Sequence, residues 1–407
     1  MQLDLFSSVL HAYAASPDGL MKNSALYATV GEQLRISEED RSTRVPVGQR
    51  GELHNLFNRK CRWVQQTLRA SGILERVAEG VWGLTQRAGK DLSQIPAGVS
   101  VIGFSTDLGV AILGSCDSVF SKIDSPITLC VTSPPYPLRS ARSYGNVDEV
   151  HYVDWICKML EPLVKNLVPG GSIALNISQD IFMPGSPERS MYAERLLLAM
   201  HDRLGLRLMD RLIWANFSKP PGPFQYASKA RTQLNVAYEP IYWLTNDCSK
   251  VKSNNRRVLM EHTEKHLKLI QGGGEHRTVS NSDGAYTIRP GSYGNPTEGR
   301  IPRNILTFGH RCKAQSDYKA AARAMGLPAH GAPMPLKLAE FLIKFLSEPG
   351  DLVVDPFGGS QTTADAAERL GRHWLTTEVM AEYVLGGSTR FKQADGFNLW
   401  LPERMAA

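Results

Sequence analysis

Thr132-Ser133-Pro134-Pro135-Tyr136 follows an apolar run, Ile127-Thr128-Leu129-Cys130-Val131, that reads as a buried strand. Two successive prolines fix φ and remove two backbone donors, so the chain leaving the strand is rigid and its carbonyls have no helix or ladder to join. The Ser133 oxygen and the Pro134 carbonyl then form a pair of acceptors for the two hydrogens of an amino group, and Tyr136 offers a flat face for stacking. Such a set orients an amine carried on an aromatic ring. A Pro-Pro turn that only ends a strand would be written with the same letters, so the motif needs a second signal.

Residues 349–363 supply it. Pro349-Gly350-Asp351 turns into the short apolar strand Leu352-Val353-Val354, with Asp355 at its carboxyl end. Pro356-Phe357-Gly358-Gly359 lets a ligand approach the backbone, and Ser360-Gln361-Thr362-Thr363 opens an alanine-rich helix. Open α/β sheets build nucleotide-type pockets in this way. In this order the two motifs resemble those of the exocyclic-amino (adenine N6 or cytosine N4) DNA methyltransferases that use S-adenosylmethionine, in the β-type branch whose catalytic motif precedes its cofactor motif. The likeness spans residues 110–245 and 328–392.

The resemblance implies that Ser133, Pro134, Pro135 and Tyr136 are catalytic. It also implies that Thr132, Asp355, Pro356, Phe357, Gly358, Gly359, Ser360 and Thr362 bind the cofactor. His330-Gly331-Ala332-Pro333-Met334-Pro335 is similar to the family's His-x-Ala-x-Phe-Pro cofactor segment, which adds His330, Pro333 and Pro335; Met334 in place of Phe keeps apolar volume. Glu378 falls 23 residues after Asp355, close to the ~20-residue spacing at which an acid grips ribose hydroxyls in nucleotide folds. Family members usually carry Gly-Asp where this chain has Gly114-Ser115. Asp117 either takes that place beside the cofactor's adenine or caps the following helix. Where the family generally has Gly, this chain has Gln361, which is therefore expected at an ordinary φ.

The elements that must position these residues alternate. A strand at Val110–Leu113, an amphipathic helix over Tyr152–Leu167, a Pro169-Gly170-Gly171 turn and a strand at Ser172–Ile177 flank the first motif. A helix over Tyr192–Leu204 and strands at Leu206–Ala215 and Tyr238–Leu244 follow, and a helix over Lys337–Leu346 precedes the second motif. The expected fold class is α/β, a Rossmann-like methyltransferase sheet with a recognition insert and an amino-terminal winged-helix domain. The expected domains are a winged helix at 1–95, a catalytic half at 96–245, a target recognition insert at 246–329 and a cofactor-binding half at 330–407. From Gly51 a long helix is expected, with Leu53, Leu56, Phe57, Val64 and Leu68 near helical spacing and Arg59, Lys60, Arg62 and Arg69 between them. It is followed by a glycine-bounded strand pair around Glu79-Gly80-Val81-Trp82-Gly83-Leu84-Thr85. That order is similar to the domain that begins the Mrr family of restriction proteins, read either as a duplex-binding module or as a small packing domain. The polar loops Pro137–Asn146 and Ser218–Val236 are expected beside the substrate base.

Charge distribution fits a polyanionic partner. The net charge is +6, yet residues 41–90 hold ten Lys/Arg against three Asp/Glu and residues 245–330 hold fourteen against seven. Each segment is +7, leaving −8 elsewhere. Binding to phosphates needs such clusters, although two solvated faces would look the same. Six cysteines without a C-x-x-C pair indicate neither zinc nor a disulfide framework, and no metal site is expected. No apolar stretch approaches the ~18 residues of a membrane span, which leads to an expectation of a cytoplasmic protein.

The reading is a cytoplasmic, site-specific DNA methyltransferase that moves a methyl group from S-adenosylmethionine to the exocyclic amine of a base flipped from double-stranded DNA. The absence of a Pro-Cys nucleophile argues against carbon-5 cytosine chemistry. Ser133 in place of the Asp of many adenine enzymes tilts the resemblance toward cytosine N4, and adenine N6 stays open. A homodimer and a separate restriction endonuclease partner are further expectations. An RNA or protein amine methyltransferase would leave the basic segments without a purpose. A non-catalytic DNA-binding regulator would leave the cofactor motif without one.

Overall fold

The computed structural model describes residues 2–16, 19–47, 52–70, 74–84, 95, 98–138 and 147–401. The amino-terminal part contains α1 (Gln2–Ala15), β1 (Leu20–Lys22), α2 (Asn23–Gln33), α3 (Glu38–Ser42), β2 (Arg44–Val47), β3 (Glu52–Asn55), α4 (Leu56–Ala70), β4 (Leu74–Ala78) and β5 (Val81–Leu84). Helix α4 forms because Phe57, Cys61, Val64 and Leu68 recur at helical spacing, and all four are buried. They pack with Val9, Tyr13, Leu26 and Trp82, and the buried Gln65 amide donates to Tyr13 Oη at 2.7 Å and Asn23 Oδ1 at 2.9 Å. Strands β1, β5 and β4 make a three-stranded antiparallel sheet with the β4–β5 turn at Glu79-Gly80, where φ is +68° at the glycine. One expectation is corrected here. Leu53 does not belong to the helix: it lies on β3, paired with β2 and 64% exposed, because Asn55 accepts from the Asn58 N–H and starts the helix after it.

A ten-stranded sheet follows, built from β6 (Ser100–Ser105), β7 (Gly109–Gly114), β8 (Ile127–Thr132), β9 (Leu167–Asn176), β10 (Arg207–Ala215), β11 (Tyr238–Thr245), β14 (Ile305–Thr307), β15 (Leu352–Asp355), β16 (His373–Glu378) and β17 (Asn398–Leu399). Their order is β14-β10-β11-β9-β8-β15-β16-β7-β6-β17. The five central strands, β9-β8-β15-β16-β7, are parallel, and β8 and β15 are buried on both faces, as apolar runs such as Leu129-Cys130-Val131 and Val353-Val354 require. The connecting helices are α5 (Cys116–Phe120), α6 (Glu149–Lys165), α7 (Tyr192–Leu204), α9 (Lys313–Ala324), α10 (Leu336–Leu346), α11 (Thr362–Arg369) and α12 (Ala381–Ser388).

The crossover from β8 through α6 runs to β9 on one side, and the crossover from β15 through α11 runs to β16 on the other. Strand order therefore reverses between β8 and β15, and a crevice opens at their carboxyl ends. Both sequence motifs stand there, although more than 200 residues separate them.

Residues 253–304 form a compact unit of their own. It holds α8 (Glu264–Gln271), the hairpin of β12 (Val279–Asn281) and β13 (Tyr286–Ile288), and a bridge between Met260 and Arg300. It is narrower than the 246–329 insert expected from the sequence, because β14 joins β10 in the large sheet and α9 packs on α12. Among the described residues, no helix is long and apolar enough to cross a membrane.

The segment after β15 is fastened by a buried ion pair. Arg390, with a side chain only 3% exposed, donates to the Ser360 carbonyl at 2.7 Å, Gln315 Oε1 at 2.8 Å and Asp365 Oδ2 at 3.2 Å, and lies over the Tyr318 ring. Asp365→Ala strands this guanidinium without its counter-charge, which costs about 3–5 kcal/mol. Urea unfolding should show a correspondingly lower midpoint; an unchanged midpoint would show that the pair contributes nothing.

Candidate active site

Ser133 leaves β8 with its hydroxyl 2.9 Å from Tyr136 Oη and 3.3 Å from Asn176 Oδ1. Tyr136 Oη also lies 3.1 Å from Asn176 Oδ1 and 3.3 Å from Glu239 Oε2. Asn176, buried at the end of β9, donates its amide to the Pro240 carbonyl at 3.3 Å, which turns its oxygen toward the two hydroxyls. Glu239, nearly buried at the start of β11, takes Lys219 Nζ at 2.5 Å on its other oxygen. Burial and the neighbouring Glu239 charge hold the Tyr136 phenol well above its usual range, so it stays protonated.

Across the crevice, Asp355 ends β15 facing inward. Its oxygens accept from Thr132 Oγ1 at 2.7 Å, Thr363 Oγ1 at 2.8 Å and the Phe357 N–H at 3.0 Å. Burial raises its carboxyl above the usual value, and these three donors oppose the shift. Asp355 thus ties the ends of both motif strands to the head of α11. Glu378, at the end of β16, accepts from the Gly359 N–H and the Met380 N–H, both at 2.8 Å, and burial pushes its carboxyl up to about 7. Gly359 itself has φ +47°, and a Cβ there would come within 3.2 Å of the His330 ring. Glycine is needed on both counts.

Gln361 corrects an expectation. It sits in the left-handed region at φ +60°, ψ +31°, a conformation that costs a non-glycine residue roughly 1–2 kcal/mol. The side chain is fully buried, its Oε1 accepts from Thr376 Oγ1 at 2.5 Å, and it packs where a Cβ on Gly387 would otherwise stand.

A cavity of about 920 Å³ joins the two motifs. Ser133, Pro134, Pro135 and Tyr136 line one side, and His330, Pro356, Phe357, Gly359 and Glu378 line the other. The remaining expected site residues stand behind this lining. Thr132 and Asp355 brace the strand ends, Thr362 hydrogen-bonds Ser360 at 3.0 Å and Gln315 at 3.2 Å, Pro335 immediately precedes α10, and Gly358 and Pro333 each fall between two lining residues. Ser115 and Asp117 reach the cavity together and share a hydrogen bond, so Asp117 is placed at the site rather than capping α5 with its side chain. Sequence reasoning missed Asn176, Glu239, His310 and the Trp155–Phe357 ring pair at 5.5 Å, whereas Lys219 lines the cavity from the loop Ser218–Val236 expected there. Polar Asn176 ending an apolar strand and Glu239 inside Tyr238–Leu244 were the available signals. Of the loop Pro137–Asn146, residues 139–146 lie outside the described residues.

The chain matches the family model for DNA methylase over residues 127–387 and that for the Mrr N-terminal domain over residues 4–94. Type II methyltransferase M.PvuII of Proteus hauseri is 34% identical over 289 residues, 71% of this chain and 85% of that protein. DNA adenine methyltransferase YhdJ of Escherichia coli (strain K12) is 21% identical over 300 residues, 72% of this chain and 86% of that protein. Among solved structures, the PvuII DNA methyltransferase described as cytosine-N4-specific aligns with a TM-score of 0.56 at 30% identity, covering 74% of this chain and 91% of that one.

The Glu378 carboxyl supplies a pH signature. Its raised value means that the folded protein holds the proton more tightly than the unfolded chain, where the value is near 4.5. The stabilisation is full below about 4.5 and is lost as the pH rises through about 7. Relative to Glu378→Gln, the wild type should lose melting temperature across that window and hold a constant difference above it. Parallel curves for the two proteins would contradict the buried, proton-holding carboxyl.

Proposed function

The chain belongs to the DNA methylase family, and from that membership we propose that it methylates N4 of cytosine in duplex DNA, on a base turned out of the helix. It is an S-adenosylmethionine-dependent DNA methyltransferase acting on an exocyclic amine. The observation that carries the finer reading is Ser133 at the switch point with its hydroxyl directed by Asn176 and Tyr136. The single Ser133 hydrogen goes to Asn176 Oδ1 or Tyr136 Oη, and in either case a lone pair of the Ser133 oxygen remains for an amino hydrogen. Cytosine is favoured by serine at this position and by the likeness to M.PvuII.

The residues present fit the cofactor. A glycine cradle at Gly359, the Glu378 carboxylate, the Phe357 face and Asp117 surround the part of the cavity beyond the β15 end. When bound, the cofactor supplies an electrophilic methyl group on a sulfonium sulfur. Tyr136 and Pro135 stack on and wall in the base, whose extrusion costs a few kcal/mol. Ser133 and the Pro134 carbonyl take the amino hydrogens, which turns the nitrogen lone pair toward the donor side. Catalysis here is placement and fixed dipoles, with no covalent enzyme intermediate.

Incubating unmethylated DNA with labelled S-adenosylmethionine and hydrolysing the product should yield N4-methyldeoxycytidine. N6-methyldeoxyadenosine would reassign the base, and 5-methyldeoxycytidine would overturn the amine chemistry. Ser133→Ala should lower turnover on the order of 10²-fold while calorimetry shows an unchanged cofactor affinity.

We further propose that residues 253–304 read base edges and that the exposed cations of α4 add duplex affinity. Deleting the amino-terminal part is a poor test, because Leu5 and Val9 share one core with Val101 and Phe104. Replacing Arg59, Lys60 and Arg62 with alanine should instead weaken DNA binding and lower the salt slope by about 0.9 for each phosphate no longer neutralised, with the methylated sequence unaltered. A changed sequence preference in that variant would show that the labour is divided differently.

A further inference from the structure

Methylating an amino nitrogen leaves a proton to be placed. The nitrogen lone pair forms the N–C bond, the C–S bond breaks with its electrons going to sulfur, and the nitrogen, now positively charged, must release one hydrogen. Ser133, which takes one of the amino hydrogens, is a neutral hydroxyl. It takes up a proton only by passing its own onward. Asn176, 3.3 Å away, ends in an amide and cannot keep one.

The structure provides one continuation. Ser133 Oγ lies 2.9 Å from Tyr136 Oη, and Tyr136 Oη lies 3.3 Å from Glu239 Oε2. Glu239 is 9% exposed, lines the cavity, and is the carboxylate that meets these hydroxyls among the described residues. The 3.3 Å step is long for an O–H···O bond, and such separations commonly tighten once substrate is in place. We propose that Glu239 is the positioning residue and terminal proton acceptor of a Ser133–Tyr136–Glu239 relay. The amine proton moves to Ser133 Oγ, the Ser133 proton to Tyr136 Oη, and the Tyr136 proton to Glu239 Oε2. The result is a neutral carboxylic acid, an unchanged serine and tyrosine, and a neutral methylamine. Lys219 Nζ, 2.5 Å from Glu239 Oε1, holds that oxygen and leaves Oε2 toward Tyr136. The phenol, held protonated by burial, serves as a conduit and not as a base.

This inference rests on the amine-methyltransferase reading, and its test separates the two. Single-turnover transfer from labelled S-adenosylmethionine to unmethylated DNA is followed for wild type, Glu239→Gln, Glu239→Asp, Tyr136→Phe and the Glu239→Gln/Tyr136→Phe pair. Gln keeps the shape and a hydrogen bond to Tyr136, and Phe keeps the stacking face. Glu239→Gln should slow transfer on the order of 10²-fold or more with cofactor affinity unchanged. Glu239→Asp should restore part of the rate. Tyr136→Phe should lose as much as Glu239→Gln, and the double variant should be no slower than either, as expected for residues acting as one unit. If Glu239→Gln aggregates, Tyr136→Phe alone decides. A Tyr136→Phe rate within about threefold of wild type, or a Glu239→Asp no faster than Glu239→Gln, overturns the relay. A wild-type protein that transfers no methyl group to DNA overturns the functional reading, and the relay falls with it.

Discussion

The site depends on one buried carboxylate. Strands β8 and β15 come from distant parts of the chain and pair directly at Leu129–Val353 and Cys130–Val354. Asp355 then closes the end of that pairing by accepting from Thr132 on one strand, Thr363 on the following helix and the backbone of Phe357. An unpaired carboxylate at that depth would be costly, whereas one with three donors fixes where each strand stops and where its loop departs. The Pro-Pro turn and the glycine turn face each other across one crevice because of that constraint.

Around this brace the structure places strain and charge where they shape the walls. Gln361 in the left-handed region and Gly359 at φ +47° bend the backbone after β15, and Arg390 holds the Ser360 carbonyl from behind. The first wall is organised differently. Ser133, Tyr136, Asn176, Glu239 and Lys219 form a hydrogen-bonded series drawn from β8, β9, β11 and a connecting loop. Low local dielectric strengthens such a network when every member is satisfied, and it fixes the direction in which each hydroxyl points. One side of the crevice is thus suited to gripping a ligand through backbone and carboxylate, and the other to directing a hydroxyl at a reacting nitrogen.

The two basic segments of the sequence have separate structural settings. Four of the ten cations of the first, Arg59, Lys60, Arg62 and Arg69, fall on α4, whose apolar face is spent on the amino-terminal core, so that they face solvent. The second covers, along the sequence, the compact unit 253–304 and a tail, including β14 and α9, that belongs to the main fold. Cations on an outward helix face are available to phosphates without rearrangement, which suits affinity more than sequence reading.

The sequence by itself determined the alternation of strands and helices, the order of the two motifs and the placing of Ser133, Tyr136, Gly359 and Glu378 at or just beyond the ends of strands. Apolar runs, paired prolines and glycines act locally and leave their mark in the letters. Helix Tyr192–Leu204 and the strand beginning at Tyr238 follow from periodicity alone. The tertiary structure decided what depends on partners far along the chain. That Asp355 also accepts from Thr132 and Thr363 shows only in the fold, and Leu53 reads as helical until β2 pairs with its strand. Gln361 reads as a residue at ordinary φ until Thr376 and the space beside Gly387 hold it at positive φ. Glu239, an acid within an apolar strand, gives no sign in the sequence of facing Tyr136, more than 100 residues earlier. Burial and long-range hydrogen bonding belong to pairs of residues, and a linear pattern records only one member of each pair at a time.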